Sequence, residues 1–259
     1  MIEQSLSILR TVLADSPDII VGVSGGKDSL AVLDLCIRVW GKERVHPFFL
    51  YFLPGLECEE KHVRSAEKRH RIKVARLQHP ALASYLRSSH LRTCNVAVEN
   101  AFTRNLKWGD IETVLRARFN TKWIAYGHRL TDSLQRRAML KKHEGIWSST
   151  HRTYPIFDWS PRDVVDYLRM RNIPVPPVIG SRITGTGGLN PGKPGCLLWL
   201  KNNYPSDYAK VVAVFDKAPL LIERDRLREL YGIKAEVNWR KRERGEKPRR
   251  GGVPEGQTE

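Results

Sequence analysis

The run Ile19-Ile20-Val21-Gly22-Val23-Ser24-Gly25-Gly26-Lys27-Asp28-Ser29 constrains the fold of this 259-residue chain more than any other. Its first half is a β-branched stretch of the kind that forms a buried parallel strand, and its second half is a glycine-rich turn. Over residues 30–40 the apolar side chains Leu30, Val32, Leu33, Leu35, Cys36, Val39 and Trp40 cover most of a helical surface, which predicts a helix packed on a sheet. Strand, glycine turn and helix make a phosphate-binding geometry. Gly25 and Gly26 lack a Cβ and reach positive φ, so backbone N–H groups can converge on an anion. The helix N-terminus adds unpaired N–H groups and the positive end of its dipole. Lys27 brings a full positive charge, Ser24 and Ser29 bring hydroxyl donors, and Asp28 stands where it caps the helix or helps to hold Mg2+.

A turn that merely joins a strand to a helix is the plainer alternative, and the contiguous run of suitable residue types weighs against it. Neither Gly-x-x-x-x-Gly-Lys-Ser/Thr nor Gly-x-Gly-x-x-Gly occurs here, which excludes a Walker-type P-loop and the dinucleotide fingerprint. Ser24-Gly25-Gly26-Lys27-Asp28-Ser29 resembles the pyrophosphate loop (PP-loop) of the ATP pyrophosphatases, enzymes that split ATP between its α and β phosphates. The resemblance implies that the loop grips the β and γ phosphates while the α phosphorus is attacked, giving an adenylated intermediate or AMP plus pyrophosphate. It rests most firmly on Ser24, Gly25, Gly26, Asp28 and Ser29, because the position of Lys27 varies among subfamilies.

Composition sets the surroundings of this loop. Lys plus Arg number 44 against 28 Asp plus Glu, a net charge of +16 that favours polyanionic partners such as nucleic acid or nucleotides. No apolar run is long enough to span a membrane, and the first ten residues lack a basic-then-apolar export signal, so a cytoplasmic protein is expected. Cys36, Cys58, Cys94 and Cys196 are scattered without a Cys-x-x-Cys pair, which gives neither a zinc nor a dithiol signature.

In chain order, an amphipathic helix over 2–14 precedes the first strand. A second strand over 45–52 ends in Leu53-Pro54-Gly55, a charged helix follows over 57–70, and a third strand is expected over 72–77. Strands alternating with helices imply right-handed crossovers, a parallel sheet and a ligand site at the carboxyl ends of the strands. In relatives of the resembled family the turn after the second strand is Asp-Thr-Gly. Here Gly55 matches, the Asp does not, and Glu57, Glu59 and Glu60 follow. The basic stretch 87–107 reads equally as a substrate-facing flap or a solvated connector. A helix over 111–119 leads to a fourth strand over 122–126 and to Gly127-His128-Arg129-Leu130-Thr131-Asp132-Ser133-Leu134-Gln135-Arg136-Arg137. This places Arg129 at the same sheet edge as the glycine loop, with Thr131 or Asp132 expected to cap the next helix and Arg136 and Arg137 one turn along it.

Gly127-x-Arg129 with Ser133 and Arg136 resembles an element of the phosphoadenylylsulfate (PAPS) reductase branch of that superfamily, which includes the ATP sulfurylase small subunit. Tyr154-Pro155-Ile156-Phe157-Asp158-Trp159-Ser160-Pro161-Arg162-Asp163-Val164 is similar to a second element of the branch, with Ser160-Pro161 opening a helix. The resemblance covers about residues 18–215. The reductive members work with a cysteine in a C-terminal Glu-Cys-Gly-x-His segment, and no cysteine follows Cys196 here. Iron–sulfur members use four cysteines in two groups, whereas Cys94 and Cys196 each stand alone, so no iron–sulfur cluster is expected. Residues 180–195 read as a glycine-rich lid or loop, and helices are expected over 196–200, 207–215 and 220–230.

These readings give an α/β fold, a doubly wound Rossmann-like parallel sheet of the adenine nucleotide alpha-hydrolase type with a helical C-terminal extension. Residues 1–145 form the nucleotide-binding core, 146–232 a PAPS-reductase-like helical and loop portion, and 233–259 a basic tail with too little apolar content to fold alone. The expected ligands are ATP and Mg2+. Lys27, Asp28 and Arg129 are the expected catalytic residues, and Asp28 the metal ligand. Ser24, Gly25, Gly26, Lys27, Asp28, Ser29, Gly55, Gly127, Arg129, Ser133 and Arg136 are expected to bind the nucleotide. The reaction expected is adenylation of sulfate or a nucleic-acid base with release of pyrophosphate. A nucleic-acid-binding protein without turnover and a PAPS-reductase-type enzyme stay open as alternatives, as do nucleic acid and a second protein subunit as partners.

Overall fold

The computed structural model describes residues 1–88, 91, 93, 97, 106–176, 189 and 191–232. Contacts divide the chain into two units, Met1–Ile222 and Glu223–Glu259. The expected basic tail, Cys94, most of the 87–107 stretch and most of the 180–195 loop lie outside the described residues.

The larger unit opens with α1 (Ile2–Asp15), β1 (Ile19–Gly22) and α2 (Lys27–Trp40), followed by β2 (Val45–Tyr51), α3 (Glu57–His70), β3 (Ala75–Gln78) and α4 (Ala81–Ser88). It continues with α5 (Trp108–Phe119), β4 (Ile124–Ala125), α6 (Leu134–His143), β5 (Ile146–Trp147), β6 (Arg152–Thr153) and α7 (Pro161–Met170). Helices α8 (Pro194–Asn203), α9 (Pro205–Val214) and α10 (Ala218–Leu230) follow. The strands form one sheet in the order β3-β2-β1-β4-β6-β5, parallel throughout except for the antiparallel β5–β6 pair. The expected doubly wound α/β sheet is therefore the observed fold.

Alternation along the strands explains why both faces are covered. Ile19, Val21, Trp123 and Ala125 join Leu33, Leu35 and Trp159 in one buried cluster, with α1, α2 and α7 on that face. Ile20, Ile124 and Tyr126, one residue out of phase, join Ile111 and Leu115 of α5 and Leu140 of α6 on the other. A period of two with both sets apolar is what a central parallel strand requires. A further cluster gathers α4, α8, α9 and the start of α10 around Phe52, Leu53 and Leu56, at the carboxyl end of β2.

Several boundaries move for local reasons. Helix α2 starts at Lys27 rather than 30, because Gly26 in extended conformation serves as its N-cap. Arg71 in the left-handed region closes α3, and the chain pairs as β3 only from Ala75. Helix α5 begins at Trp108, where the Asp110 carboxylate accepts from the Lys107 amide (2.7 Å). Helix α7 opens at Ser160-Pro161 as expected, and Ser160 and Asp163 form a capping box there. The two-residue strands β5 and β6 are too short to leave a periodic signal.

Trp159 ties the segment before α7 to the first helix. It is buried, and its indole N–H donates to Ser5 Oγ of α1 at 3.0 Å. Trp159→Ala is expected to lower stability by about 3–5 kcal/mol, from the cavity and the orphaned Ser5 hydroxyl. Urea unfolding followed by circular dichroism measures this, and a loss below about 1 kcal/mol would contradict the packing role.

Candidate active site

The switch point of the sheet lies between β1 and β4, where the connections leave in opposite directions and open a crevice at the carboxyl ends of the strands. Ser24–Ser29 follows β1 and Gly127–Arg129 follows β4, so the topology brings the two sequence motifs together.

The loop after β1 is held by its own side chains. Ser24 N–H donates to Ser29 Oγ (3.1 Å), and the Ser24 and Ser29 hydroxyl oxygens lie 3.2 Å apart. Ser29 Oγ donates to the Gly26 carbonyl (2.9 Å), and the Gly26 amide donates to Ser24 Oγ (3.4 Å). Gly25 sits at φ +74°, and a Cβ there would stand 3.1 Å from His62 Cβ, so α3 walls the loop from behind. Gly127 allows the closest approach of the two motifs: a Cβ there would meet the Asp28 carbonyl carbon and oxygen at 3.0 Å. No side chain caps α2 at Gly26, so the amides of its first turn remain for an anion.

Charges alternate through this contact. Lys27 Nζ donates to both Asp28 oxygens (2.9 and 2.8 Å). Arg129 Nε lies 3.0 Å from Asp28 Oδ1, and Arg129 Nη2 donates to Asp132 Oδ1 (3.2 Å). Asp132 Oδ2 accepts from the Arg129 amide and from Arg136 Nη1, both at 2.9 Å. The sequence Lys27, Asp28, Arg129, Asp132, Arg136 is thus a + − + − + chain running from α2 to α6. Arg129 is 2% exposed, and its Nη1 is buried without a protein partner. Its Nε–H, although close to Asp28, is not aimed at the carboxylate oxygen. These unanswered guanidinium N–H groups give the site donor capacity beyond its internal pairs.

Nearly all of the expected site residues meet at this contact, with two corrections of detail. The cap of α6 is Ser133, whose Oγ accepts from the Arg136 amide (3.2 Å), rather than Thr131 or Asp132. Asp132 is turned inward to the guanidinium groups, which a linear reading of cap preferences does not separate from capping. Gly55 is engaged elsewhere: its carbonyl accepts from Lys210 Nζ of α9 (2.6 Å). Asp207 of α9 caps α3, whose own Leu56 offers no side-chain cap, by accepting from the Cys58 amide (2.9 Å). Burial alone would raise the Asp207 carboxyl, but the Cys58 and Glu57 amides and Lys210 outweigh it and hold it below the ordinary range.

Two ionisable groups beside the site are kept neutral. Glu59, in the first turn of α3, is buried with Oε2 unpartnered, and its backbone carbonyl lies 3.8 Å from the Gly25 Cβ position. Burial pushes its pKa to about 8 against the pull of the Leu189 amide. His128 is lowered to about 4, first by burial and then by Arg136.

Among the described residues no group of three or more His, Cys, Asp or Glu side chains is placed to hold a metal ion. Mg2+ that arrives on a triphosphate needs only one or two protein carboxylates beside the phosphate oxygens, so Asp28 within the loop fits that ion. No helix of the described residues is long and apolar enough to cross a membrane.

Residues 18–192 match the protein family described as the phosphoadenosine phosphosulfate reductase domain. No curated protein matches the chain. Among solved structures, the U34-tRNA thiolase NcsA from Methanococcus maripaludis with its [4Fe-4S] cluster is similar at 14% identity and a TM-score of 0.45, over 83% of this chain and 78% of that one. The expectation of no iron–sulfur cluster is corrected by this comparison, since the thiolase carries one. That expectation rested on cysteine spacing along the chain, and spacing does not measure proximity in a fold. Cys58 and Cys196, far apart in sequence, are buried in one cluster and close enough for the Cys196 thiol to help raise that of Cys58.

Gly127→Ala is expected to cost about 1–3 kcal/mol, because the added methyl meets backbone rather than a mobile side chain, and thermal unfolding measures it. Glu59 binds its proton more tightly folded than unfolded, so its contribution is present at low pH and is lost as pH rises from about 4.5 to about 8. The Tm advantage of Glu59→Gln over the wild type should therefore grow between pH 5 and pH 8.5. A constant difference would contradict the buried, protonated carboxyl.

Proposed function

The chain belongs to the phosphoadenosine phosphosulfate reductase domain family, a family of enzymes within the PP-loop superfamily, and on that footing we propose that it binds ATP with Mg2+ and cleaves it between the α and β phosphates. The acceptor, a sulfate oxygen or an oxygen of a nucleic-acid base, attacks the α phosphorus. The bond from that phosphorus to the bridging oxygen breaks, and pyrophosphate leaves with the electron pair, giving an adenylated acceptor.

The observation that carries this reading is the Gly127 contact, which holds a glycine loop, a helix N-terminus and the buried Arg129 in one place. Ser24, Gly25 and Gly26 hold the β and γ phosphates in line through hydroxyl and amide donors. Lys27 and Arg129 answer the charge that develops on pyrophosphate. Lys27 reaches the phosphates on a flexible stem by leaving Asp28, while Arg129 stays fixed by Asp132. Asp28 is the carboxylate for Mg2+, which supplies neutralisation of the phosphate charge. Arg136 and the Ser133 cap set the position of Asp132, and through it that of Arg129. The chemistry is positioning and charge stabilisation, so no protein nucleophile is needed.

Pyrophosphate release from ATP and Mg2+ tests this, with sulfate or nucleic acid as added acceptor. Lys27→Ala and Asp28→Ala are each expected to lower the rate at least about a hundredfold, the scale of losing one electrostatic contact to a transition state. ATP binding without pyrophosphate under every acceptor condition would refute the reaction.

A further inference from the structure

Aromatic rings flank the phosphate loop along the carboxyl edge of the sheet. Phe52 follows β2, His79 follows β3, Tyr126 and His128 follow β4, and Tyr154 follows β6, while Trp108 opens α5. Phe52 and His79 stack at 4.4 Å, and His79 meets Trp108 at 6.1 Å. Trp108 meets Tyr126 at 6.2 Å, Tyr126 stacks on His128 at 5.5 Å, and His128 stacks on Tyr154 at 5.5 Å. Gly22, at the end of β1, leaves room for Tyr126, whose Cδ1 lies 3.0 Å from the Gly22 Cβ position.

Trp108 differs from the rest of this row. It is 39% exposed, whereas Tyr126 and Tyr154 are buried. The planes of His79 and Tyr126 meet it at 64° and 44°, so neither ring lies flat on an indole face. Its ring nevertheless packs against that of Tyr126, whose hydroxyl donates to Glu112 Oε1 at 2.9 Å. Glu112 is buried and takes a two-pronged pair from Arg152 (2.9 and 2.9 Å). An indole that remains more than a third exposed thus rests against a ring fixed by a buried carboxylate and guanidinium. Fixing a partly exposed ring in one orientation lowers the cost of stacking a second ring on its open face.

We propose that Trp108 is the stacking platform for a nucleobase at this sheet edge. The inference rests on the reading of the loop as a phosphate site and names the chemistry beside it. A base is a planar, uncharged ring attached to phosphate, and this edge offers flat rings next to phosphate donors. The imidazoles within the row support the assignment, because burial lowers both His79 and His128 and keeps the row uncharged at neutral pH. The base belongs to ATP or to a nucleic-acid acceptor, and both present the same face to the indole.

The test compares the wild type with Trp108→Leu and Trp108→Phe at one fixed salt concentration. Kd is measured for ATP with Mg2+, for sodium tripolyphosphate, and for a fluorescein-labelled single-stranded RNA dodecamer. Trp108→Leu should weaken ATP, RNA or both by about tenfold, Trp108→Phe by about threefold or less, and tripolyphosphate, which has no base, should bind all three proteins equally. A loss confined to ATP assigns the base to the nucleotide, and one confined to RNA assigns it to the acceptor. Either supports the platform. Unchanged Kd values for both ATP and RNA in Trp108→Leu, or an equal loss for tripolyphosphate, overturn it while the loop reading stands. A wild type that fails to bind ATP but binds RNA through Trp108 removes the loop reading and keeps the platform, and one that binds neither ATP nor RNA removes both.

Discussion

The geometry of the site depends on a guanidinium in the wrong medium. Arg129 is almost fully buried, and a charge taken out of water is stable only when it is paired and hydrogen-bonded. Its partners come from different elements: Asp28 from the first turn of α2, and Asp132 from the turn before α6. Removing either acid would leave the buried guanidinium with one partner that it shares with a second cation, Asp28 with Lys27 or Asp132 with Arg136. The loop after β1 and the segment after β4 therefore cannot drift apart without taking a partner from that charge. Gly127 is the steric counterpart of the same constraint, since only a residue without Cβ lets β4 end against the Asp28 carbonyl. The contact that stabilises the fold here is also the contact that aims donors at an anion.

Support for this contact reaches it from the far end of the larger unit. Helix α3 backs the glycine loop through His62 and Val63, and α3 is itself capped by Asp207 of α9, with Lys210 bonded to both Asp207 and the Gly55 carbonyl. Helix α9 thereby braces the wall behind the loop. On the opposite flank, Asp34 of α2 accepts from the Tyr167 hydroxyl (2.6 Å) and from Arg171 Nε (2.8 Å), which fixes α2 against α7. The helix that carries the phosphate loop is thus held at its start by Arg129 and at its middle by Asp34. Preorganisation of this kind is what electrostatic catalysis asks of a scaffold.

How far this was legible from sequence follows from the range of the interactions involved. The strand, loop and helix around Ser24–Ser29 were readable because local preferences and hydrophobic period agree over contiguous residues. Gly127 and Arg129 were readable as an edge motif for the same reason, although the need for glycine at 127 is visible only once Asp28 is beside it. Asp132 reads in sequence, with Thr131, as a candidate cap, because a side chain that accepts from a nearby amide and one that accepts from a guanidinium look alike there. The cysteines misled because spacing was taken for proximity, and Cys58 and Cys196 meet only through the packing of α3 against the C-terminal helices. Trp108 was missed altogether. A tryptophan at the first position of a helix reads as core until its exposure and its contact with the Tyr126 ring, itself fixed by Glu112, are known.

The neutrality of Glu59 and His128 completes the electrostatic argument. An ionised Glu59 would put a negative charge into α3, the wall behind the glycine loop, where poor solvation would screen it only weakly. Burial holds the proton on Glu59 up to about pH 8, so the negative charge does not arise at neutral pH. His128, lowered to about 4, adds no positive charge that would compete with Arg129 for an acid partner. Of the + − + − + chain, two acids lie inside and Lys27 and Arg136 close its ends, so the set carries one excess positive charge. That excess is left where Lys27 and the open N–H groups of Arg129 flank the loop. An anion entering this edge meets cations whose counter-charges are already fixed in place, and little of the surrounding structure has to reorganise to receive it.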